Sequence, residues 1–350
     1  MKSSLVSLPG PSLSPSAVNL RGSILIVALW SLCLLAAFAV IVGYEVRQKA
    51  ELAKRLDERD KLRLIAEAGI KKGILQISKQ EQKSYAALGD DWSNNPELFC
   101  GIKVGDGQFT VGYNYYDEAS GTYALWCGII DEERKININT ADLAVLTRLF
   151  KNLLQFDEAS AQELAAAIID WRDSDSELSM PIGSAEDSYY RNLEHYYQAK
   201  DAKFECLDEL LLVKGMAADI FFKVKEYITI YGTGKVNINT ASVPVLLALG
   251  LREDIVGKII TWRCGEDGVS GTSDDRVFET NFDIVPNLSQ AFRLGDSDIA
   301  ELSQVVDQCL ATDSHYFMIK SVAGLNNRKN TAETVCVVNA LGKVLYWQEP

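Results

Sequence analysis

The chain has 350 residues, of which 47% are hydrophobic and 24% are charged, a composition that excludes a wholly disordered protein. Its formal net charge of -13 disfavours general binding to nucleic-acid phosphates. The two histidines, His195 and His315, are too few for a histidine-rich zinc site.

An uncharged apolar segment near the N-terminus sets the class of the protein. Ser23–Tyr44 contains no charged residue and is long enough to cross a bilayer core as a helix. Residues 1–22 before it are rich in Ser and Pro and end in Arg21 and Gly22. Three interpretations are open: a plain membrane anchor, a secretory signal with a cleavage site at Ala39, and a prepilin-type leader cut after Gly22. We favour the leader, because the apolar run begins directly after the glycine and continues past Ala39.

The helix is predicted to continue beyond the membrane segment. Glu45–Ile77 contains no proline and is rich in Ala, Leu, Glu, Lys and Arg. Apolar residues between Val46 and Leu56 recur on one helical face, which predicts an amphipathic second half. A single helix over residues 23–77 would be about 80 Å long.

Strand-like segments flank a long helical stretch. Residues 100–126 and the C-terminal region are rich in aromatic and β-branched residues, with turn residues between the runs. We expect these two parts to pair in one sheet and the helical stretch to project as an insertion. The predicted fold class is α+β, with a long N-terminal helix, a small antiparallel sheet and a large, mostly helical insertion. The expected divisions are 1–22 (leader), 23–44 (transmembrane half of the helix), 45–130 (amphipathic helix and first strands), 131–312 (insertion) and 313–350 (last strands).

The insertion contains an internal repeat. The sequence Lys-Ile-Asn-Ile-Asn-Thr-Ala at residues 135–141 returns at residues 235–241 with one Ile-to-Val change. Each copy precedes a leucine-rich helix and a second helix that ends in Trp-Arg. We expect Thr140 and Thr240 to cap the following helices and the asparagines to bind nearby backbone groups. The pattern resembles helix-hairpin-helix and sterile-alpha-motif units. It lacks the glycine turn of the DNA-binding form, which favours a structural or protein-contact role.

Two acidic loops are candidate calcium sites. The first contains Asp173 and Asp175, joined later by Glu186. Clustered carboxylates repel one another unless a cation is bound, and calcium takes six to eight oxygens. The second loop holds Asp267, Asp274 and Asp275 between glycines that permit tight turns. The alternative for both loops is a solvated acidic surface. We therefore predict one or two Ca²⁺ sites.

The cysteines leave the pairing open. Cys33 lies in the apolar run, and six others follow, without a Cys-x-x-Cys motif. Up to three disulfides are possible in an oxidising compartment, and buried free thiols are the alternative. Because we find no nucleophile–base pair, we expect no enzymatic activity.

The ordered motifs resemble one family, the type II secretion system minor pseudopilin K, also called general secretion pathway protein K. The matching segments are Arg21–Val27, Ile65–Gly69, both Asn-Ile-Asn-Thr-Ala stretches, Asp173–Asp175, Glu186–Tyr190 and Phe204–Met216. The resemblance implies a pilin-like fold, removal of the leader between Gly22 and Ser23 by the prepilin peptidase, and calcium binding.

The resemblance also implies a place and partners. The protein is expected in the bacterial inner membrane as a single-pass protein with its C-terminal domain in the periplasm. The expected partners are minor pseudopilins I and J, the major pseudopilin and the inner-membrane assembly platform, with no nucleic acid. Val27 stands at the fifth mature position, where most pilin-like subunits carry Glu, and it indicates a position at the pseudopilus tip. The alternatives are a membrane-anchored DNA receptor of an uptake system and a minor pilin of a type IV pilus.

Overall fold

The computed structural model describes residues 20–80, 83–118, 121–180, 183, 185–326 and 329–349. The helices are α1 (Leu20–Gln80), α2 (Pro96–Phe99), α3 (Leu143–Leu154), α4 (Glu158–Arg172), α5 (Asp187–Tyr190), α6 (Ala218–Val224), α7 (Val243–Ala248), α8 (Glu253–Arg263), α9 (Asn281–Phe292) and α10 (Asp296–Cys309). The strands are β1 (Ile102–Val104), β2 (Gly107–Val111), β3 (Tyr113–Asp117), β4 (Thr122–Trp126), β5 (Ile130–Asp131), β6 (Ile136–Asn137), β7 (Ile228–Thr229), β8 (Val236–Asn237), β9 (Leu310–Ala311), β10 (Tyr316–Leu325), β11 (Thr331–Asn339) and β12 (Val344–Gln348). Two 3₁₀ helices span Glu132–Arg134 and Leu207–Leu212.

The chain forms two compact units, one that ends at Arg59 and one that begins at Asp60. In the first unit, α1 exposes every side chain from Ile24 to Asp57. Among the described residues, α1 is the one helix long and apolar enough to cross a membrane. It is therefore a candidate membrane anchor, because its exposed apolar surface needs lipid or other apolar helices around it.

The second unit begins with the last turns of α1, which pack on the sheet. Leu62, Ile65 and Ile70 are buried on one face of the helix, in a core shared with strand residues such as Phe109 and Ile319. A Cβ atom at Gly73 would lie 2.9 Å from Ile319, so glycine permits the close approach of helix and sheet. The buried face starts at Leu62, later than the predicted face, whose residues Val46 and Leu56 are exposed.

The main sheet joins segments that are far apart in the sequence. Its strands run in the order β1-β2-β10-β11-β12, all neighbours are antiparallel, and β5 also pairs with β10. Phe109 of β2 lies opposite Ala323 of β10. The predicted pairing of the two strand regions is confirmed, and so are the long helix and the antiparallel sheet of the α+β class.

One disulfide lies beside this sheet. Cys100, which ends α2, is bonded to Cys127, which follows β4. The other cysteines, Cys33, Cys206, Cys264, Cys309 and Cys336, are free. Of the three disulfides that the cysteine count permits, the structure therefore forms one.

The two repeated segments of the insertion make equivalent contacts. Each begins with a short strand in a parallel pair, β6 with β7 and β8 with β9. Asn139 exchanges two hydrogen bonds with the backbone of Phe204, and Asn239 exchanges two with the backbone of Phe278. Arg263 donates to the carbonyls of Ile238 and Ala241, and Arg172 donates to those of Ile138 and Ala141.

The expected threonine caps are wrong. Asp142 caps α3 and accepts a hydrogen bond from the Val145 N–H. Ser242 stands at the N-cap of α7, without a side-chain bond to the helix. The Thr240 hydroxyl instead donates to Asp131. The asparagines bind backbone groups, as the sequence predicts.

Candidate metal centre

Three acidic side chains of the first loop converge. Asp173, Asp175 and Glu186 each offer one oxygen, and these atoms lie within 4.8 Å of one another. Calcium–oxygen bonds measure about 2.3–2.6 Å, so two oxygens on one calcium ion are at most about 5 Å apart. The spacing therefore fits a shared ion.

Local structure positions each of the three residues. Asp173 ends α4, where its N–H donates to the Ile169 carbonyl. Asp175 accepts a hydrogen bond from the Glu177 N–H, an Asx-type turn that starts the loop. Glu186 stands directly before α5, and its side chain makes no capping bond. The cluster therefore combines the end of one helix with the start of another.

The buried oxygens of this cluster lack partners. Within the described part of the chain, Asp173 Oδ1 and Glu186 Oε1 are buried and make no hydrogen bond. The Glu186 residue as a whole is only 4% exposed. Burial is the main cause that raises the pKa of Glu186 to about 7, and the charges of Asp170 and Asp173 raise it further. Burial, followed by the charges of Asp175 and Asp170, also raises the pKa of Asp173. A divalent cation would satisfy both oxygens and cancel the repulsion.

The second acidic loop is organised differently. Asp274 accepts hydrogen bonds from the N–H groups of Glu266 and Asp267 and from the Thr272 hydroxyl, which is the largest of the effects that lower its pKa to about 2. Asp275 accepts from the Gly271 N–H, and Asp267 accepts from Val269. In contrast with the first loop, Asp267, Asp274 and Asp275 form no group of close ligand atoms, although all three are described. A calcium site in this loop stays a prediction.

The processing residues lie near the start of the described chain. Gly22 and Ser23 fall in the first turns of α1, whose side chains are described from Ile24 onward. Residues 1–19 of the predicted leader lie outside the described residues. Val27 is exposed on α1, with apolar residues on either side.

Comparisons with known proteins agree on one family. Residues 128–233 match the family model described as type II secretion system (T2SS), protein K. The type II secretion system protein K of Pseudomonas aeruginosa is 26% identical over 335 residues, which cover 91% of this chain and 90% of that protein. The protein K of Aeromonas hydrophila is 28% identical over 178 residues, about half of each chain. The chain is thus similar to type II secretion system protein K, in the matched segment 128–233 and along most of its length.

A solved structure of the family has the same fold. The structure of the GspK–GspI–GspJ complex from enterotoxigenic Escherichia coli contains a chain that matches this one with a TM-score of 0.59. The match covers 87% of this chain and 99% of that chain, at 19% identity. Together, these similarities support a minor pseudopilin of the type II secretion system.

One residue that shapes the site is not among those predicted from the sequence. Asp170 is fully buried near the end of α4, and its two oxygens accept hydrogen bonds from the N–H groups of Ser179 and Ala185. The sequence offers one signal for this role, because Asp170 is a carboxylate in an otherwise alanine- and isoleucine-rich stretch of the helix. That signal does not say which groups Asp170 would bind.

Proposed function

We propose that the chain is the tip subunit of a type II secretion pseudopilus, where it supports the export of proteins across the outer membrane. The observation that carries the proposal is Val27, the fifth residue of a chain that starts at Ser23. A carboxylate within the membrane costs a few kcal/mol unless it is paired. In a pilin-like fibre, Glu at this position pairs with the N-terminal amine of the neighbour on the tip side. A subunit with no such neighbour is more stable with an apolar residue there.

The proposed partners are other minor pseudopilins. The GspK chain of the Escherichia coli structure forms a complex with GspI and GspJ, and we infer that this chain binds pseudopilins of the I and J types. The shared fold over 87% of the chain supports this inference. The major pseudopilin, the prepilin peptidase and the inner-membrane assembly platform complete the expected set, and nucleic acid is not part of it.

The proposed location is the inner membrane, with one span and the globular unit in the periplasm. The apolar face of α1 supports the span. The Cys100–Cys127 disulfide supports the periplasmic side, because disulfides persist in oxidising compartments and are rare in the cytosol.

Intact-mass measurement tests the processing step. When the full chain is produced together with its prepilin peptidase and extracted from membranes, we expect a mature polypeptide that begins at Ser23. An inactive peptidase provides the control and should leave Met1 in place. A chain that keeps Met1 in the presence of the active enzyme would indicate a plain membrane anchor. A chain that starts at Val40 would indicate a secretory signal and an exported protein that lacks most of the apolar segment.

The tip position predicts that a glutamate at residue 27 brings no benefit to assembly. Val27→Glu should give no more than a slight gain in co-purification with the I and J types, because the added carboxylate finds no amine above it. Val27→Leu is the matched control and should behave like the parent chain. A several-fold gain in assembly with Glu would contradict the tip position.

We also propose that the first acidic loop binds Ca²⁺ through Asp173, Asp175 and Glu186. The buried oxygens without partners support this fit. The bound ion would supply positive charge that holds the loop between α4 and α5 in one arrangement.

Thermal melting of the full chain in detergent tests the calcium site. At a calcium concentration 100-fold above Kd, binding should stabilise the fold by about 2.7 kcal/mol relative to chelator. Glu186→Gln should remove most of this gain, whereas Glu177→Gln, which changes an exposed carboxylate of the same loop, should keep it. Equal calcium shifts in the parent and in Glu186→Gln would show that the ion binds elsewhere.

The alternatives predict different binding. A DNA receptor would retard DNA at low salt with an affinity below micromolar that falls as salt rises. A minor pilin of a type IV pilus would co-purify with retractile pilus subunits instead of the secretion pseudopilins. The likeness of the insertion to helix-hairpin-helix units stays a prediction, for which we propose a protein-contact role.

A further inference from the structure

Asp170 is a buried carboxylate that does not belong to the metal cluster. It lies three residues before Asp173, and none of its surface is exposed. Its Oδ1 accepts a hydrogen bond of 2.8 Å from the Ser179 N–H, and its Oδ2 accepts one of 2.9 Å from the Ala185 N–H. Both oxygens are therefore directed to the backbone of the acidic loop.

These two bonds hold the loop at its middle and at its end. Ser179 lies nine residues and Ala185 fifteen residues beyond Asp170, and Ala185 directly precedes Glu186. The second bond thus fixes the backbone from which the Glu186 side chain extends. Since Asp173 is attached to the same helix as Asp170, one side chain sets the distance between two parts of the cluster.

The other repeat lacks this arrangement. Aligning Trp171-Arg172 with Trp262-Arg263 places Thr261 at the position of Asp170. Thr261 is exposed, and the loop after α8 is held by its own Asp274. The first repeat has both the buried carboxylate and the gathered ligand atoms, and the second repeat has neither.

The carboxylates beside Asp170 repel one another when no cation is bound. Apart from burial, the largest influences that raise the pKa values of Asp173 and Glu186 are the charges of neighbouring carboxylates, and Arg172 offsets them only in part at Asp173. Three carboxylates therefore share one small region, and two of them carry buried oxygens without a partner. A loop built in this way is expected to gain most from a divalent ion.

We propose that Asp170 is a positioning residue for divalent-cation binding, which fastens the Ala185 backbone so that Glu186 meets Asp173 and Asp175. This inference rests on the proposed calcium function. Outer-sphere groups that orient ligands commonly change metal affinity by about 10- to 100-fold when they are replaced. Asp170 acts through the Glu186 backbone and does not touch the ion.

The test measures calcium affinity of the full chain in detergent, by titration calorimetry with CaCl₂. Asp170→Asn should weaken binding about 10- to 100-fold. Asp170→Glu keeps the charge but moves the oxygens by one methylene, and it should also weaken binding. Asp157→Asn, the same chemical change at the exposed start of α4, is the matched control and should leave the affinity within about twofold of the parent.

A double-mutant cycle separates positioning from a general structural role. If Asp170 acts through Glu186, Asp170→Asn should have little further effect in a Glu186→Gln background. The positioning role would be overturned if Asp170→Asn had its full effect in that background or bound calcium like the parent chain. It would also be overturned if both Asp170 variants failed to fold in chelator. A parent chain that binds no calcium at millimolar concentration would instead overturn the proposed calcium site, and this inference with it.

Discussion

Three consecutive carboxylates are buried where β5 leads into the insertion. Asp131, Glu132 and Glu133 are 2%, 1% and 4% exposed. Glu132 binds Lys135 at 2.5 Å and accepts a hydrogen bond from the Thr229 hydroxyl. Each carboxylate reaches a different part of the second unit, so this segment ties the sheet to both repeats.

Asp131 makes stability depend on pH. Burial is the main cause that raises its pKa to about 6, against the lowering effect of hydroxyl donors such as Ser314 and Thr240. Between about pH 4 and pH 6, Asp131 is therefore protonated in the folded chain and ionised in the unfolded chain. The contribution of this group to folding is small above pH 6 and grows as the pH falls toward 4.

We predict that the pH dependence changes in Asp131→Asn. Because the amide does not titrate, the parent chain should gain about 2 kcal/mol of unfolding free energy relative to the variant between pH 7.5 and pH 4.5. Denaturant unfolding in detergent at both pH values measures this difference. Asp91→Asn, at an exposed carboxylate, is the control. A parent–variant difference that is the same at both pH values would mean that Asp131 titrates normally.

The residues of the first cluster could be predicted because Asp173 and Asp175 alternate in a loop that Glu186 joins, although the same kind of pattern in the second loop brings no close group of ligand atoms together. Sequence reasoning could not find Asp170 or the buried segment at Asp131, because their partners are backbone groups and side chains far along the chain. The threonine caps failed for the same reason. Thr240 was available to cap a helix, but the distant Asp131 offered a stronger, charged acceptor.

At the scale of elements, the repeated asparagine defines how each repeat closes. The Asn239 side chain is 3% exposed and binds both the N–H and the carbonyl of Phe278 at 2.9 Å. Asn139 makes the same pair of bonds to Phe204 but is half-buried. Each asparagine side chain thus pairs with the backbone N–H and carbonyl of one residue in the loop after the second helix, as a neighbouring strand would.

We predict unequal losses when these side chains are removed. Asn239→Ala should lower the unfolding free energy by about 2–3 kcal/mol, because it leaves two buried backbone groups unpaired. Asn139→Ala should cost about half as much, since water reaches the groups that it exposes. Urea unfolding measures both, and Thr140→Ala, at an exposed position of the same motif, should stay within about 0.5 kcal/mol of the parent. The order would be refuted by a larger loss at Asn139.

Most of the longer helices and strands could be predicted from the sequence. The strand pattern of the C-terminal region and the long proline-free helix were predicted because each has a clear period. The very short parallel strands β6 to β9 were not predicted, since two residues carry no period. The disulfide partner of Cys100 was equally unpredictable, because only the folded chain brings Cys127 beside it.

At the scale of the whole molecule, the Cys100–Cys127 disulfide is predicted to stabilise the fold. It closes a loop with a sequence separation of 27 residues, which corresponds to about 3–4 kcal/mol in the loop-entropy description. Reductant should lower the melting temperature of the full chain, and the Cys100→Ala/Cys127→Ala chain should be insensitive to it. Equal sensitivity of both chains to reductant would assign the effect to another cysteine.

The sheet has a consequence for the order in which the protein can form. β2 acquires its neighbour β10 only when the polypeptide reaches Tyr316–Leu325, more than 200 residues later. During synthesis, the emerging chain must therefore leave β2 without its β10 neighbour, and the facing side of α1 uncovered, while the residues of the two repeats are still being added. A stop codon anywhere before β10 would leave this surface permanently open, so that truncated products should be cleared by proteases instead of accumulating as shorter, functional subunits.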